Sequence, residues 1–288
     1  MTNFFIISKN QKKINILTHS LEKISAILIH LHGLHAHFQH IYPCVDDFYY
    51  RIKYLKVANI LSYALEFNGH GKSDGDKGSV DDYNFLIDDV DRLIEYVACL
   101  HPDKPIFLVG ESMGGGISII YGIKHPDKIK GVILLAPMIG LSEKIKVSDL
   151  VLKIMLYSSN YFPKWKLISK KNRNQLRFKE YTSSREKCKF EIKENINLIT
   201  GKQCYLISQF IKKNTDKFNL PLLIFHSKND LITSFNSSVN FFNNCTSKNK
   251  EIVKLDDYNH CLLVPKEQVD IIPDAVIYKI TNWINKLI

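Results

Sequence analysis

Residues 105–115 read Pro105-Ile106-Phe107-Leu108-Val109-Gly110-Glu111-Ser112-Met113-Gly114-Gly115. The first half is apolar and short, which predicts a buried strand over Pro105 to Val109, and the pattern beyond it predicts a helix over Met113 to Lys124. Between them, Gly-x-Ser-x-Gly predicts a sharp turn that lifts the Ser112 hydroxyl clear of the strand. Such a turn crowds any side chain two residues before or after the serine, and glycine at 110 and 114 removes the obstruction. The bare pattern is common by chance; its place between a strand and a helix gives it weight.

A serine hydroxyl is a poor nucleophile at neutral pH and needs a base, itself held in one tautomer by a carboxylate. Reading downstream, Asp230 follows an apolar run, Leu222 to His226, and His260 follows another, Glu251 to Leu255. Ser112 as nucleophile, Asp230 as orienting acid and His260 as base fit the chain order of a strand-turn-helix serine site. Asp256 and Asp257 compete with Asp230, although their closeness to His260 on one extended segment makes a tip-to-ring bond awkward. Among the other histidines, His101 and His125 read as solvent-exposed helix caps, His226 as a buried hydrogen-bonding residue and His70 as a loop brace. Two backbone donors must await the oxyanion. They are expected to be the N–H groups of Met113 and of Leu34, which follows the turn at His32-Gly33; an ordinary glycine turn is the alternative reading there. Because the base must be neutral, activity is expected to rise with pH through the imidazole range, roughly 6.5.

Around this stretch, short β-branched runs alternate with helical patterns, the signature of an α/β fold on a mainly parallel sheet. Strands are expected at Phe4 to Ser8, Ile14 to Thr18, Ala26 to Leu31, Asn59 to Leu65, Ile106 to Val109, Gly131 to Leu135, Leu222 to His226 and Glu251 to Leu255, the first two as an antiparallel edge. Helices are expected over Asp81 to Leu100 and Asp274 to Leu287 as well. The alternation stops after Pro137 and resumes at Pro221, and the interval reads as helices without strands. There Ser148 is expected to cap a helix with Leu150, Val151, Ile154 and Met155 inward, and Thr200 to start another with Tyr205, Leu206, Phe210 and Ile211.

The 288 residues carry a net charge of +10, and the segment Met138 to Lys217, with 18 basic against 7 acidic residues, holds all of the excess. Nucleic acid is not the expected partner: Lys outnumbers Arg 34 to 5, and no RNA-binding motif or zinc finger is present. Tyr157, Tyr161, Phe162 and Trp165 interleaved with Lys164 and Lys166 suit transient contact with an anionic membrane surface, or else the rings pack within the cap or line a pocket. The longest apolar run has 11 residues, too few to span a bilayer, and no secretory signal is evident, so a cytoplasmic protein with peripheral membrane contact is expected. The six cysteines form no C-x-x-C pair and read as free thiols. Phosphate-loop motifs are lacking, and a serine mechanism requires neither cofactor nor metal.

Together, His32-Gly33, Gly69-His70-Gly71-Lys72-Ser73-Asp74-Gly75, Gly110-Glu111-Ser112-Met113-Gly114-Gly115 and Tyr258-Asn259-His260-Cys261-Leu262-Leu263 resemble the α/β-hydrolase fold. The resemblance is to its monoacylglycerol lipase and lysophospholipase-like (serine aminopeptidase S33-type) branch, caffeoyl shikimate esterase-like members included. It implies an eight-stranded, mainly parallel sheet flanked by helices, with a core of residues 1–137 and 218–288 and a helical cap inserted at 138–217. It also implies a small-molecule substrate, the acyl ester of a monoacylglycerol or lysophospholipid, cleaved through an acyl-enzyme. A carboxylesterase, thioesterase, acyltransferase or peptidase of the same superfamily would share the triad, and a non-catalytic ligand-binding member is the rival of another class. Glu66, Asn68, Ser227 and Ala36 depart from the usual pattern; the first two are expected to affect loop support, and Ala36 the recognition of a glycerol end. Glu111 resembles the plant-like members and is expected to be structural, aimed away from substrate.

Overall fold

Eight of the predicted runs do form strands, and they join one sheet. The computed structural model describes residues 2–39, 41–42, 45–145, 147–168, 188–256, 258–263 and 272–288. The main-sheet strands are β1 (Thr2–Ile7), β2 (Lys13–Thr18), β3 (Ala26–Leu31), β4 (Ile60–Leu65), β5 (Ile106–Glu111), β6 (Gly131–Leu135), β7 (Leu222–Ser227) and β8 (Lys250–Leu255). Their spatial order is β1-β2-β4-β3-β5-β6-β7-β8. β1 and β2 are antiparallel, β2 meets β4 antiparallel, and every later pairing is parallel. The central strands are buried along their whole length, as parallel strands covered on both faces must be.

Helices supply that cover, α1 (Asp47–Val57), α2 (Tyr83–Leu100), α3 (Met113–Lys124), α6 (Phe235–Asn244) and α7 (Ile272–Asn285), while α4 (Asp149–Ser158) and α5 (Leu198–Lys213) lie outside this layer, α5 on α3 and α4 on α5. On β3 the period-2 alternation sends Ile27, Ile29 and Leu31 to the face packed with α2 and α3, and Ala26 and Leu28 to the face packed with α7. His30, on the second face, lies edge-on to Phe38 and Phe48 in an apolar corner, and neither of its ring nitrogens has a hydrogen-bond partner.

Three expectations for the interval 138–217 are corrected. It is not free of strands, because Lys166–Ile168 pairs antiparallel with Ile196–Asn197. α4 is capped by Ser148 as expected, yet Leu150, Val151 and Ile154 point outward, with Leu150 69% exposed. Among the described residues α4 packs on α5, where Met155 reaches over Gly201, and its outer face is left exposed. α5 begins earlier than expected: Asn197 is its cap, its Oδ1 accepting from the Thr200 N–H at 2.9 Å, and Leu198, Ile207 and Ile211 form the buried face. Residues 169–187 of the expected cap lie outside the described residues.

α5 is fastened to the core by buried polar bonds. Thr200 Oγ1 accepts from the Val80 N–H at 2.9 Å, while Gln203 accepts from the Tyr83 N–H at 3.1 Å and donates to the Asp81 carbonyl at 3.0 Å. Asn197 donates to Ser79 Oγ at 3.0 Å. Ile207 and Ile211 sit over Gly116 of α3, where a Cβ would lie 2.8 Å from Ile207 Cγ2.

Candidate active site

All the expected site residues lie at or just beyond the carboxyl ends of β3, β5, β7 and β8, where a parallel sheet opens its crevice. Ser112 sits between β5 and α3 with φ 50° and ψ −113°, a strained backbone for a residue with a Cβ. The strain is held by bonds on either side: the Ser112 N–H donates to the Leu135 carbonyl at 3.0 Å, and its carbonyl accepts from Met138 at 2.8 Å and Gly116 at 3.1 Å. A Cβ on Gly110 would run into the Gly114 carbonyl, and one on Gly114 into that of Leu31. The glycines at both positions are therefore a packing requirement, as the motif predicts.

The loop after β3 packs directly on this turn: a Cβ on Gly33 would lie 3.1 Å from Ser112 Cβ and 3.7 Å from its Oγ. Leu34, whose N–H is the expected second donor, is the next residue. The Met113 N–H is in the first turn of α3 and has no intrahelical acceptor, leaving it available to an incoming oxygen.

Three buried histidines and a buried carboxylate fix that loop. His32 Nδ1–H donates to the Gly33 carbonyl at 2.7 Å and Nε2 accepts from the Phe67 N–H at 3.0 Å. His70 Nδ1–H donates to the Asn68 carbonyl at 2.8 Å and Nε2 accepts from the His35 N–H at 3.1 Å, the bracing role expected of it. The ring of His35 meets the Gly78 carbonyl at 3.1 Å. Glu66 accepts from the Phe38 N–H at 3.0 Å, the Lys72 N–H at 2.8 Å and Asn15 Nδ2 at 2.9 Å, tying the β3 loop to the Gly69–Gly75 loop and to β2. Gly71, at φ 55°, leaves room for the Glu66 carboxylate.

These buried groups set an acid sensitivity. Burial is the main cause holding His70 down at about 4, against about 6.5 in an unfolded chain. Between those values the unfolded chain binds a proton that the folded one refuses, so this contribution to stability grows as pH rises and is lost on acidification. Glu66 is raised by burial, and Asp89, on α2, is raised by burial to about 7; both act with the opposite sign. The measurement is thus a difference in slope. His70→Asn is expected to flatten the pH dependence of the urea-unfolding free energy between pH 4 and 6.5 by up to about 1.4 kcal/mol per pH unit. An unchanged slope rejects this account.

At the other side of the crevice, Asp230 and His260 come together across 30 residues: His260 Nδ1–H donates to Asp230 Oδ2 at 2.7 Å. The tautomer so fixed leaves Nε2 unprotonated, the form a general base requires. Asp230 is buried and its carboxylate fully subscribed. Oδ1 accepts from the Ile232 N–H at 2.7 Å and the Thr233 N–H at 3.0 Å, and Oδ2 accepts also from the Thr233 hydroxyl at 2.8 Å and from His226 Nε2 at 3.2 Å. Burial alone would raise this carboxyl. The attraction of His260 and the bonds from His226 and His260 outweigh that and hold it well below the usual carboxylate range.

Asp256, the rival acid, is turned outward and pairs with Lys228 at 2.5 Å; Asp257 lies outside the described residues. His226 is buried as expected, its Nδ1 accepting from the Ser238 hydroxyl at 2.8 Å. Sequence reading missed its bond to Asp230. An i, i+4 spacing across a strand end is the only signal it carries. His101 and His125 do stand at the C-caps of α2 and α3, but both are half-buried rather than exposed, against Tyr63 and Tyr121 respectively. Among the described residues, the Ser112 hydroxyl has no hydrogen bond and none joins it to His260. Also among the described residues, no group of three or more His, Cys, Asp or Glu could hold a metal ion, and no helix is long and apolar enough to cross a membrane.

The family model described as serine aminopeptidase, S33 matches residues 22–267, a span that contains every residue of this site. The chain belongs to that family. It is an α/β hydrolase of the monoglyceride lipase-like branch, a carboxylic ester hydrolase. Monoglyceride lipase of Mus musculus is 24% identical over 235 residues, covering 80% of this chain and 75% of that protein. Among solved structures, a soluble variant of monoglyceride lipase from Saccharomyces cerevisiae, in complex with a substrate analog, superposes with a TM-score of 0.83 at 18% identity, over 99% of this chain and 94% of that one. The monoacylglycerol lipase of Paleococcus ferrophilus gives a TM-score of 0.78 at 21% identity, over 93% and 99%. At these identities the two structures speak to the fold.

Proposed function

We propose that the chain cleaves the acyl ester of a monoacylglycerol or lysophospholipid through Ser112, His260 and Asp230. The observation that carries this reading is the Asp230–His260 bond at 2.7 Å at the same sheet edge as the strained serine turn. His260 Nε2 takes the Ser112 proton as the hydroxyl attacks the acyl carbonyl. The N–H groups of Met113 and Leu34 hold the oxyanion. His260 then protonates the leaving alcohol, and water, activated by the same imidazole, releases the fatty acid from the acyl-enzyme. Attack requires His260 and Ser112 to close to hydrogen-bond range, and substrate binding commonly tightens such contacts. Residues 138–217 form the cap over the crevice, between the core segments 1–137 and 218–288.

A hydrolysis panel of monoacylglycerols, lysophosphatidylcholine, phenolic esters and acyl thioesters of graded chain length tests the substrate class. The glycerol or lysophospholipid esters of long acyl chains are expected to turn over fastest. Preference for a phenolic ester or a thioester refutes the lipid assignment while leaving the triad intact.

The outward face of the cap supports a lipid surface as the place where substrate is met. Leu150, Ile154, Tyr157, Tyr161 and Trp165 are all exposed, the Phe162 and Trp165 rings stack at 4.3 Å, and Lys153, Lys164 and Lys166 flank them. The alternative is that the aromatic rings pack inside the cap or line a pocket; their exposure supports the surface reading. Exposed apolar side chains rimmed by ammonium groups suit an anionic bilayer interface. Co-sedimentation with anionic vesicles is expected at low salt and is expected to weaken at high salt; no binding at low salt refutes docking.

A further inference from the structure

We infer that Arg51 is a positioning residue, which through its ion pair with Glu111 keeps the serine turn and the loop after β3 in register for catalysis. This rests on the reading of Ser112 as nucleophile. Arg51 lies on α1 and its side chain is only 5% exposed. The central carbon of its guanidinium lies over the ring of Phe38, 5.2 Å from the centroid, and one of its nitrogens pairs with Glu111 Oε1. Phe38 is the residue whose N–H is anchored on Glu66, so it marks the far end of the loop that carries Leu34. Glu111 is the residue immediately before the nucleophile, and the carbonyl of Glu111 is what a Cβ on Gly33 would meet at 3.5 Å. A single buried cation therefore touches the segment presenting the hydroxyl and the segment presenting an oxyanion donor.

The chemistry favours this use over plain packing. Attack on an ester places negative charge on the carbonyl oxygen one residue from the Glu111 backbone. An uncompensated carboxylate at 111 would oppose that charge, and the guanidinium removes the opposition. The chain uses arginine sparingly, 5 against 34 lysines. A lysine could supply the charge but not a delocalised cation broad enough to lie over Phe38 and pair with a carboxylate at once. The expectation that Glu111 faces away from substrate agrees with this pairing; its arginine partner had no signature in the sequence.

The test separates positioning from packing. Arg51→Lys and Glu111→Gln are compared with the double variant Arg51→Met/Glu111→Leu, because replacing both members of a buried ion pair by apolar side chains commonly recovers stability. Steady-state kinetics with the best ester of the panel, the rate of fluorophosphonate labelling and the melting temperature are read for each. A sub-ångström to 1 Å misplacement of catalytic groups predicts a kcat lower by roughly 10- to 100-fold with KM little changed, and labelling slowed in parallel. The double variant is expected to melt near wild type while its kcat stays low. Wild-type kcat in any of the three overturns the inference, as does a loss of kcat that follows the loss of melting temperature from variant to variant. Failure of the nucleophile assignment itself would show separately, as labelling that survives Ser112→Ala.

Discussion

Ser112→Ala is expected to abolish covalent labelling by a fluorophosphonate and to lower ester hydrolysis by a factor on the order of 10^5 to 10^6, with the melting temperature unchanged. The size follows from the proposed mechanism, in which the Ser112 hydroxyl forms the acyl-enzyme while the proposed oxyanion donors and the binding surface would remain. Stability is spared because, among the described residues, Ser112 Oγ makes no hydrogen bond. The strained backbone is held by the main-chain bonds to Leu135, Met138 and Gly116, which alanine keeps. Alanine also suffers the positive φ no more than serine does. The check is a labelling gel beside a hydrolysis assay and a thermal melt. A variant that folds and still turns over at a tenth of the wild-type rate removes Ser112 from the mechanism.

The second large effect is expected at Asp230. Asp230→Asn should lower kcat by about 10^4, the size of effect seen when a triad carboxylate is made an amide. The hydrogen bonds dictate how the amide must lie. Oδ1 receives two backbone N–H groups, from Ile232 and Thr233, so the amide oxygen has to occupy that place. The NH2 group then faces His260 Nδ1 and His226 Nε2, both of which had been donating. Each imidazole must shift its proton to the other nitrogen. For His260 this protonates Nε2, the atom that should accept from Ser112. For His226 it turns Nδ1 from acceptor to donor towards Ser238. Asp230→Asn is accordingly expected to destabilise the chain by about 1–3 kcal/mol besides disabling it. Asp256→Asn is the control: its carboxylate is 71% exposed and pairs with Lys228, so the rate should not change. A reversed outcome, with Asp256 essential and Asp230 dispensable, would reassign the acid.

How far the sequence foretold this arrangement depended on what each segment had to satisfy. The central strands were legible because burial on both faces leaves only apolar residues, and Ala26–Leu31 and Gly131–Leu135 form as the pattern predicts. Met113–Lys124 was equally legible, its start fixed by the glycine turn. α1 was not, because a cation, Arg51, occupies its buried face where the periodic pattern demands an apolar residue. α6 was missed for a different reason. Its sequence, Phe-Asn-Ser-Ser-Val-Asn-Phe-Phe-Asn-Asn, has poor helix formers, and the helix is held by the Ser234 cap and by burial of Phe241 and Ser238. α4 showed a helical period, but the pattern alone does not say whether an apolar stripe meets protein or something else. In the candidate site, the position of Ser112 and the pairing of Asp230 with His260 could be read because all three follow strand ends. His226, Thr233 and Arg51 could not, because their partners lie at distances in the chain that only the fold closes.

The unequal fastening of α4 and α5 bears on how the cap could be rebuilt. α5 is stitched to Ser79, Val80, Asp81 and Tyr83, so a chimaera that exchanges it must carry residues 79–83 from the same parent. α4 rests on Gly201 through Met155 and, among the described residues, shows no such stitching, whereas the stretch after it is tied down, Lys164 pairing with Asp76 at 2.8 Å and Trp165 accepting from the Leu198 N–H at 2.8 Å; a cassette swapped to change what the outer surface adheres to is therefore α4 itself and ends before Pro163.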